Sequence, residues 1–233
     1  MEVTGNKDSY DFVDYVKFDG ELSSDSVFPE WIKSGKLELE RLTSGRVPER
    51  KYYNIVQDEG DIDEYFTTSY GFPDNISKVT EYFETIDDAW KDKTYACYGI
   101  FKTSGSNKFI GQATVEKVSF DKQKCEIGVW LRKEYWGNGY SQKRAELLCE
   151  VAFSGLDLDV VEVTVTTENI KSVKAVEKYM DVFGGEFNGK IRKDTLTPGN
   201  GVQNVYKWSV TKEEFYSEDS TYSRTINLPS FDE

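Results

Sequence analysis

The feature that most constrains this chain is an apolar run, Cys125 to Leu131, that passes through Arg132-Lys133-Glu134-Tyr135-Trp136 into Gly137-Asn138-Gly139. The run reads as a strand, and Ala145, Leu148, Cys149 and Ala152 recur at the spacing of a helix from about Ser141 to Phe153. A strand, a two-glycine turn and a helix in that order make an anion cradle. The first helical turn leaves N–H groups unpaired and the helix dipole adds partial positive charge there. Glycine lets the backbone approach a phosphate with no Cβ in the way.

Spacing decides which phosphate loop this is. A P-loop needs Gly-Lys-Ser/Thr at its end, which this turn lacks. A dinucleotide fingerprint needs a third glycine where Gln142 stands. Charge agrees with an anionic ligand: Arg132, Lys133, Lys143 and Arg144 against the single Glu134 give +3 over thirteen residues of a chain whose net charge is −13. Lys171, Lys174 and Lys178 form a second basic row at helical spacing, readable as phosphate contacts or as a solvated face.

The acidity sits at the ends. Residues 1–30 carry −6 and residues 212–233 carry −4, so the middle is near neutral. We read 1–27 as an acidic N-terminal extension, 28–215 as one folded domain and 216–233 as an acidic tail; such arms are solvated or steer a cationic acceptor. A nucleic-acid partner would want a basic face, and none is expected. No apolar stretch reaches the length of a membrane span and the charged N-terminus lacks a signal-peptide core, so the expectation is a soluble, cytoplasmic protein without a membrane partner. Three scattered cysteines, Cys97, Cys125 and Cys149, read as buried free thiols rather than a disulfide framework. With no histidine and no Cys-x-x-Cys, no metal site is expected, and histidine triads are excluded.

The order of elements gives the fold class. Leu37 to Leu42 alternate as a strand, and Pro48 begins a helix through Tyr52, Ile55 and Val56. Ile76, Val79, Phe83, Ile86 and Trp90 mark a second helix with Asp74, Asn75 or Ser77 as its cap. Strands follow at Tyr95–Lys102 and Lys108–Val118 around Ser104-Gly105-Ser106-Asn107. The turn at Asp121-Lys122-Gln123-Lys124 leads to the loop strand. After the cradle helix come a β-branched strand, Val160–Thr166, a helix from about Lys171, and two strands near Phe187–Thr195 and Val202–Val210. This predicts an α/β sandwich: a mixed sheet covered by helices on both faces.

The loop pattern resembles the acyl-CoA loop of the GNAT superfamily of N-acetyltransferases, within the branch that includes the ribosomal-protein alanine N-acetyltransferases. Ile127-Gly128-Val129-Trp130-Leu131 is similar to the family's central strand, and Phe28-Pro29-Glu30 with Leu37–Leu42 to its first one. Asn169, Ser172 and Glu177-Lys178 fall where the family has its asparagine, serine and Glu-Lys pair. The chain departs from the pattern at Glu134, where Gln or Arg is usual, and after Lys178, where Tyr179 to Phe183 precede Gly184-Gly185. The resemblance implies a mostly antiparallel sheet with a splay between the strands ending at Leu131 and Thr166. It also implies acetyl-CoA as cosubstrate, its phosphates over Gly137, Asn138, Gly139, Tyr140 and Ser141, and its pantetheine paired with backbone near Val129 and Leu131. Arg132, Trp136 and Asn169 complete the implied binding set.

The implied reaction is attack of a neutral amine on the acetyl thioester, with a protein N-terminus or a small molecule as acceptor. An α-amine with pKa about 7.8 is roughly a tenth neutral at neutral pH, so a carboxylate base suffices; a lysine at about 10.4 asks for more. Glu126 is the first candidate base, followed by Glu116 and Glu162 on neighbouring strands. Ser172 would meet the sulfur or a bound water, and would otherwise be a capping residue. The family's acid tyrosine is replaced by Val176, so Tyr179, one turn on, is a displaced acid or a core residue. Residues 57–75 and 195–202 are expected to shape the acceptor groove. A homodimer stays open, as do two other readings: a non-catalytic acyl-CoA-binding module, and an interaction protein with acidic arms.

Overall fold

The computed structural model describes residues 28–60, 73–104, 107–197 and 201–217. The acidic extension, nearly all of the acidic tail, and residues 61–72 and 198–200 of the expected acceptor groove lie outside the described residues.

A hairpin opens the fold. β1 (Trp31–Ser34) turns through Gly35, at φ +58, into β2 (Leu37–Arg41), burying Ile32, Leu37 and Leu39. The sequence reading had only the second of these strands, because four residues are too few for an alternation to show. α1 (Glu49–Glu59) starts directly after Pro48, and α2 (Ile76–Lys91) is capped by Asn75, whose side chain accepts from the Lys78 amide at 3.0 Å. β3 (Ala96–Lys102), β4 (Lys108–Ser119) and β5 (Lys124–Leu131) form an antiparallel meander. α3 (Tyr140–Glu150) then runs on through a wider π turn to Gly155, two residues beyond the expected end. β6 (Val160–Thr166), α4 (Ile170–Phe183), β7 (Glu186–Thr197) and β8 (Gly201–Thr211) complete the expected order.

α5 (Lys212–Tyr216) was not foreseen. Its reciprocal cap, Thr211 with Glu214, is a four-residue pattern too common to carry a helix alone, and its Tyr216 hydroxyl donates to Glu150 on α3 at 2.7 Å.

The eight strands lie in the order β1-β2-β3-β4-β5-β6-β8-β7, and every described pairing is antiparallel except β5 with β6. On one face α3 and α4 bury Ala145, Leu148, Phe153, Val176 and Phe183 against Cys125, Ile127, Val161 and Val163. On the other α1 and α2 bury Tyr52, Val56, Val79, Phe83 and Ile86 against Cys97, Phe101, Phe109 and Trp130. Helices therefore cover both faces, as the element order implied. All three cysteines are buried free thiols.

Candidate active site

The site begins where the sheet parts. β5 and β6 pair only at Lys124↔Val160, Cys125↔Val161 and Glu126↔Glu162, although both strands continue, β5 to Leu131 and β6 to Thr166. Beyond Glu126 the two strands diverge, so the edge of β5 from Ile127 to Leu131 is not paired to β6. This is the expected splay, and its open end points at the starts of α3 and α4.

The loop stands at that open end. Gly137 and Gly139 have φ of +76 and +77, with open space where a Cβ would be. Gly139 is the residue before α3, and no side chain caps the helix there. The amides of Tyr140 and Ser141 thus begin the helix beside two bare glycines, the environment that a pyrophosphate takes. Asn138 braces the turn: its Nδ2 donates to the carbonyls of Tyr135 at 3.1 Å and Trp136 at 3.0 Å.

The loop's charge differs from the sequence reading. Arg132 is engaged, with Nε at 3.3 Å from Glu59 Oε1 and Nη2 at 2.8 Å from Glu134 Oε1, and Glu59 Oε2 also accepts the Lys133 amide at 2.9 Å. Arg144 is 1% exposed, packed 5.8 Å from the Tyr179 ring centroid, and Lys143 is paired with Glu146. Much of the +3 patch is thus spent inside the protein, and backbone amides dominate the cradle. Glu59, at the end of α1, ties that helix to the loop; its distance in sequence hid it.

The remaining expected residues are distributed around the splay. Trp136 is 44% exposed, donates Nε1 to the Leu131 carbonyl at 2.7 Å, and carries Lys171 Nζ 4.8 Å from its ring centroid. Val129 and Leu131 pack against the core from the strand edge. Asn169 caps α4, accepting the Ser172 amide on Oδ1 at 3.1 Å. Tyr179 packs on the inner side of α4. It is buried against Phe183 and Arg144, and burial pushes its hydroxyl pKa up against the pull of Arg144.

The opposite face of the same strands carries a row of glutamates. Glu126 is buried, its Oε2 2.8 Å from Lys117 Nζ, and register places it between Glu116 on β4 and Glu162 on β6. Glu162 is paired with Lys124 at 3.0 Å and Lys207 at 2.9 Å. Burial raises its pKa, but the two lysines outweigh burial and hold the carboxyl below its ordinary range. Glu116 behaves in the opposite way: burial, and then the charge of Glu126, push it up to about 7. Behind the row runs a buried polar chain. Tyr52 donates to Gln112 Oε1 at 2.8 Å, Gln112 Nε2 to the Tyr82 oxygen at 2.7 Å, and that hydroxyl lies 3.6 Å from Cys97 Sγ.

A strand splay that ends at a glycine cradle before a helix offers an extended ligand a strand edge and its anionic end a set of amides. Residues 36–179 match the family model described as an acetyltransferase (GNAT) domain. The chain belongs to the GNAT acetyltransferases. It is 29% identical over 150 residues to a Bacillus subtilis protein named as a ribosomal N-acetyltransferase, YdaF, covering 63% of this chain and 78% of that one. Mycobacterium smegmatis RimJ, solved with a CoA disulfide, shares the fold at TM-score 0.70 and 15% identity, over 82% of this chain and 91% of that one. Spermidine N-acetyltransferase from Vibrio cholerae, solved with CoA and spermine, aligns at TM-score 0.63 and 17% identity, over 79% and 100%.

As a GNAT acetyltransferase the protein is an enzyme, and it takes its acetyl group from acetyl-CoA. The thioester supplies the electrophile. The chain's own groups fit it: two glycines at positive φ, a helix start that no side chain caps among the described residues, and a β5 edge that is not paired to β6 beyond Glu126. Among the described residues no helix is long and apolar enough to cross a membrane.

Proposed function

We propose that this acetyltransferase acetylates a primary α-amine, such as a protein N-terminus, by direct attack of the neutral amine on the thioester. The observation that carries this reading is the carboxylate row Glu116–Glu126–Glu162 at the apex of the splay. A carboxylate suffices for an amine whose pKa is about 7.8 but is a poor match for a lysine at about 10.4. The name of the YdaF relative points to the same acceptor class.

In this reading the amides around Gly137, Asn138, Gly139, Tyr140 and Ser141 hold the phosphates, and the edge of β5 at Val129 and Leu131 pairs with pantetheine. Trp136 and Lys171 flank the nucleotide end. Arg132 acts by fixing the loop through Glu59. Asn169, with Oδ1 committed to its cap, has its Nδ2 to offer, and Ser172 is the hydroxyl nearest the start of α4. Glu126 belongs to the carboxylate row that receives the amine. Tyr179 takes a packing role, since a buried hydroxyl with a raised pKa beside Arg144 is poorly placed to protonate a leaving thiolate. The free cysteines agree with a cytoplasmic setting.

Thiol release from acetyl-CoA tests this with a panel of peptides carrying free N-terminal Ala, Ser or Met, beside spermidine and spermine. Turnover of a peptide with a blocked-terminus control inactive is the expected result. Turnover of the polyamines alone would replace the acceptor class, and absence of thiol release with every amine would refute the transfer reading.

A further inference from the structure

The carboxylate row raises a question that the strand positions alone leave open, namely which of its members receives the proton. Glu162 is neutralised by two lysines, Lys124 and Lys207. Glu126 is buried and held by Lys117. Among the described residues no hydrogen bond holds the carboxyl of Glu116, and it leans over Gly128. A Cβ on Gly128 would meet Glu116 Oε1 at 3.3 Å and Thr114 Oγ1 at 2.5 Å. Gly128 is the second β5 residue past the last β6 pair, inside the splay, on the face that carries Glu126 and Trp130. The absent side chain at 128 thus brings the Glu116 carboxyl down onto the strand that would present the thioester.

We propose that Glu116 is the base that receives the proton of the acceptor amine, with Gly128 making room for it and the Glu126–Lys117 pair tuning it. This rests on the transfer reading above. As the amine nitrogen forms its bond to the acetyl carbon, one N–H proton passes to Glu116 and the carbon–sulfur bond breaks with its electron pair on sulfur. Glu116 then returns that proton to the thiolate through water, leaving an amide and CoA thiol. The surroundings suit the task. Glu126 faces Glu116 from β5, with Lys117 beside it on β4; Tyr95, just before β3, and Cys97 on β3 feel its charge; Tyr82 on α2 contacts Cys97; and Asp194 on β7 acts on Lys117. Against this environment the carboxyl lies at about 7, half ionised near neutrality. That is the condition in which a base is both available and strong enough.

The test compares Glu116→Gln, Glu126→Gln and Gly128→Ala, using the peptide that the wild type acetylates fastest. Each variant is first shown to be folded by an unchanged stabilisation with acetyl-CoA. Glu116→Gln should lose about 10²–10⁴-fold in kcat. Its log kcat/KM against pH should also change on the acid side, from a slope of about 2, set by base and amine together, to about 1, set by the amine alone. Glu126→Gln should move the acid limb of that profile to lower pH and keep its slope of about 2, because a like charge has been removed from Glu116 while the base remains. Gly128→Ala should lose turnover while retaining acetyl-CoA binding. The inference is overturned if Glu116→Gln keeps the wild-type rate and slope, or if both glutamine variants lose activity alike. A folded wild type that releases no thiol with any amine refutes the transfer reading instead.

Discussion

The two faces of β5 carry different kinds of information. Cys125, Ile127, Val129 and Leu131 point toward α3 and α4 and are apolar, whereas Glu126, Gly128 and Trp130 point toward α1 and α2 across a glutamate, a glycine and a buried polar chain. The first face is held by dispersion and exclusion of water, so its residues tolerate one another at any compatible volume. The second adds to an apolar core around Val79, Phe83 and Ile86 a strip of directional bonds and opposed charges, where each group sets the proton affinity of its neighbours.

Mutations can break that contrast, and the largest effect belongs to the packed face. Phe153, fully buried against Phe215 and Tyr216, should cost about 3–5 kcal/mol of unfolding free energy as Phe153→Ala, measured by denaturant titration. Next comes the cradle between the faces. Gly139→Val forces a β-branched residue to φ +77, so acetyl-CoA at 100 times its wild-type dissociation constant should no longer add its expected ~2.7 kcal/mol in thermal unfolding. Undiminished stabilisation would refute the loop assignment.

The polar face should respond with the opposite sign. Glu116 titrates at an ordinary 4.5 when unfolded and at about 7 when folded, so the folded state keeps a proton that the unfolded chain releases. Stability is therefore lost as pH rises through that window. Glu116→Gln cannot ionise and should be more stable than wild type above pH 7, by on the order of 1–2 kcal/mol once solvent screening is allowed for. Equal melting curves at pH 8 would show that Glu116 carries no such cost. The smallest effect is Tyr52→Phe, which removes the donor to Gln112 and should cost about 1 kcal/mol without changing acetyl-CoA binding.

Legibility in the sequence followed the same division. The strand–turn–helix of the loop, a cap among Asp74, Asn75 and Ser77, and the β-branched strand Val160–Thr166 could all be read because each is a local pattern of period, glycine and capping residue; the structure chose Asn75 among the three. β1 and α5 escaped because four or five residues carry no period. The charge of the loop was misjudged because the partners of Arg132 are long-range or locally ambiguous: Glu59 lies 73 positions away. Glu116, Glu126 and Glu162 were named as candidates, yet nothing in the one-dimensional order could rank three glutamates on three strands.

By itself the sequence determined the order of strands and helices and the glycine cradle for an anion, since each is a local pattern; the splay and acetyl-CoA entered through the resemblance to a family. Only the tertiary structure decided which charges face ligand and which are spent within the protein. It took pairing across strands to set Glu116 against Glu126, to give Glu126 to Lys117 and Glu162 to Lys124 and Lys207, and to place a bare Gly128 beneath Glu116. Proton affinity depends on distance through space and on burial, and neither is written in the order of the residues.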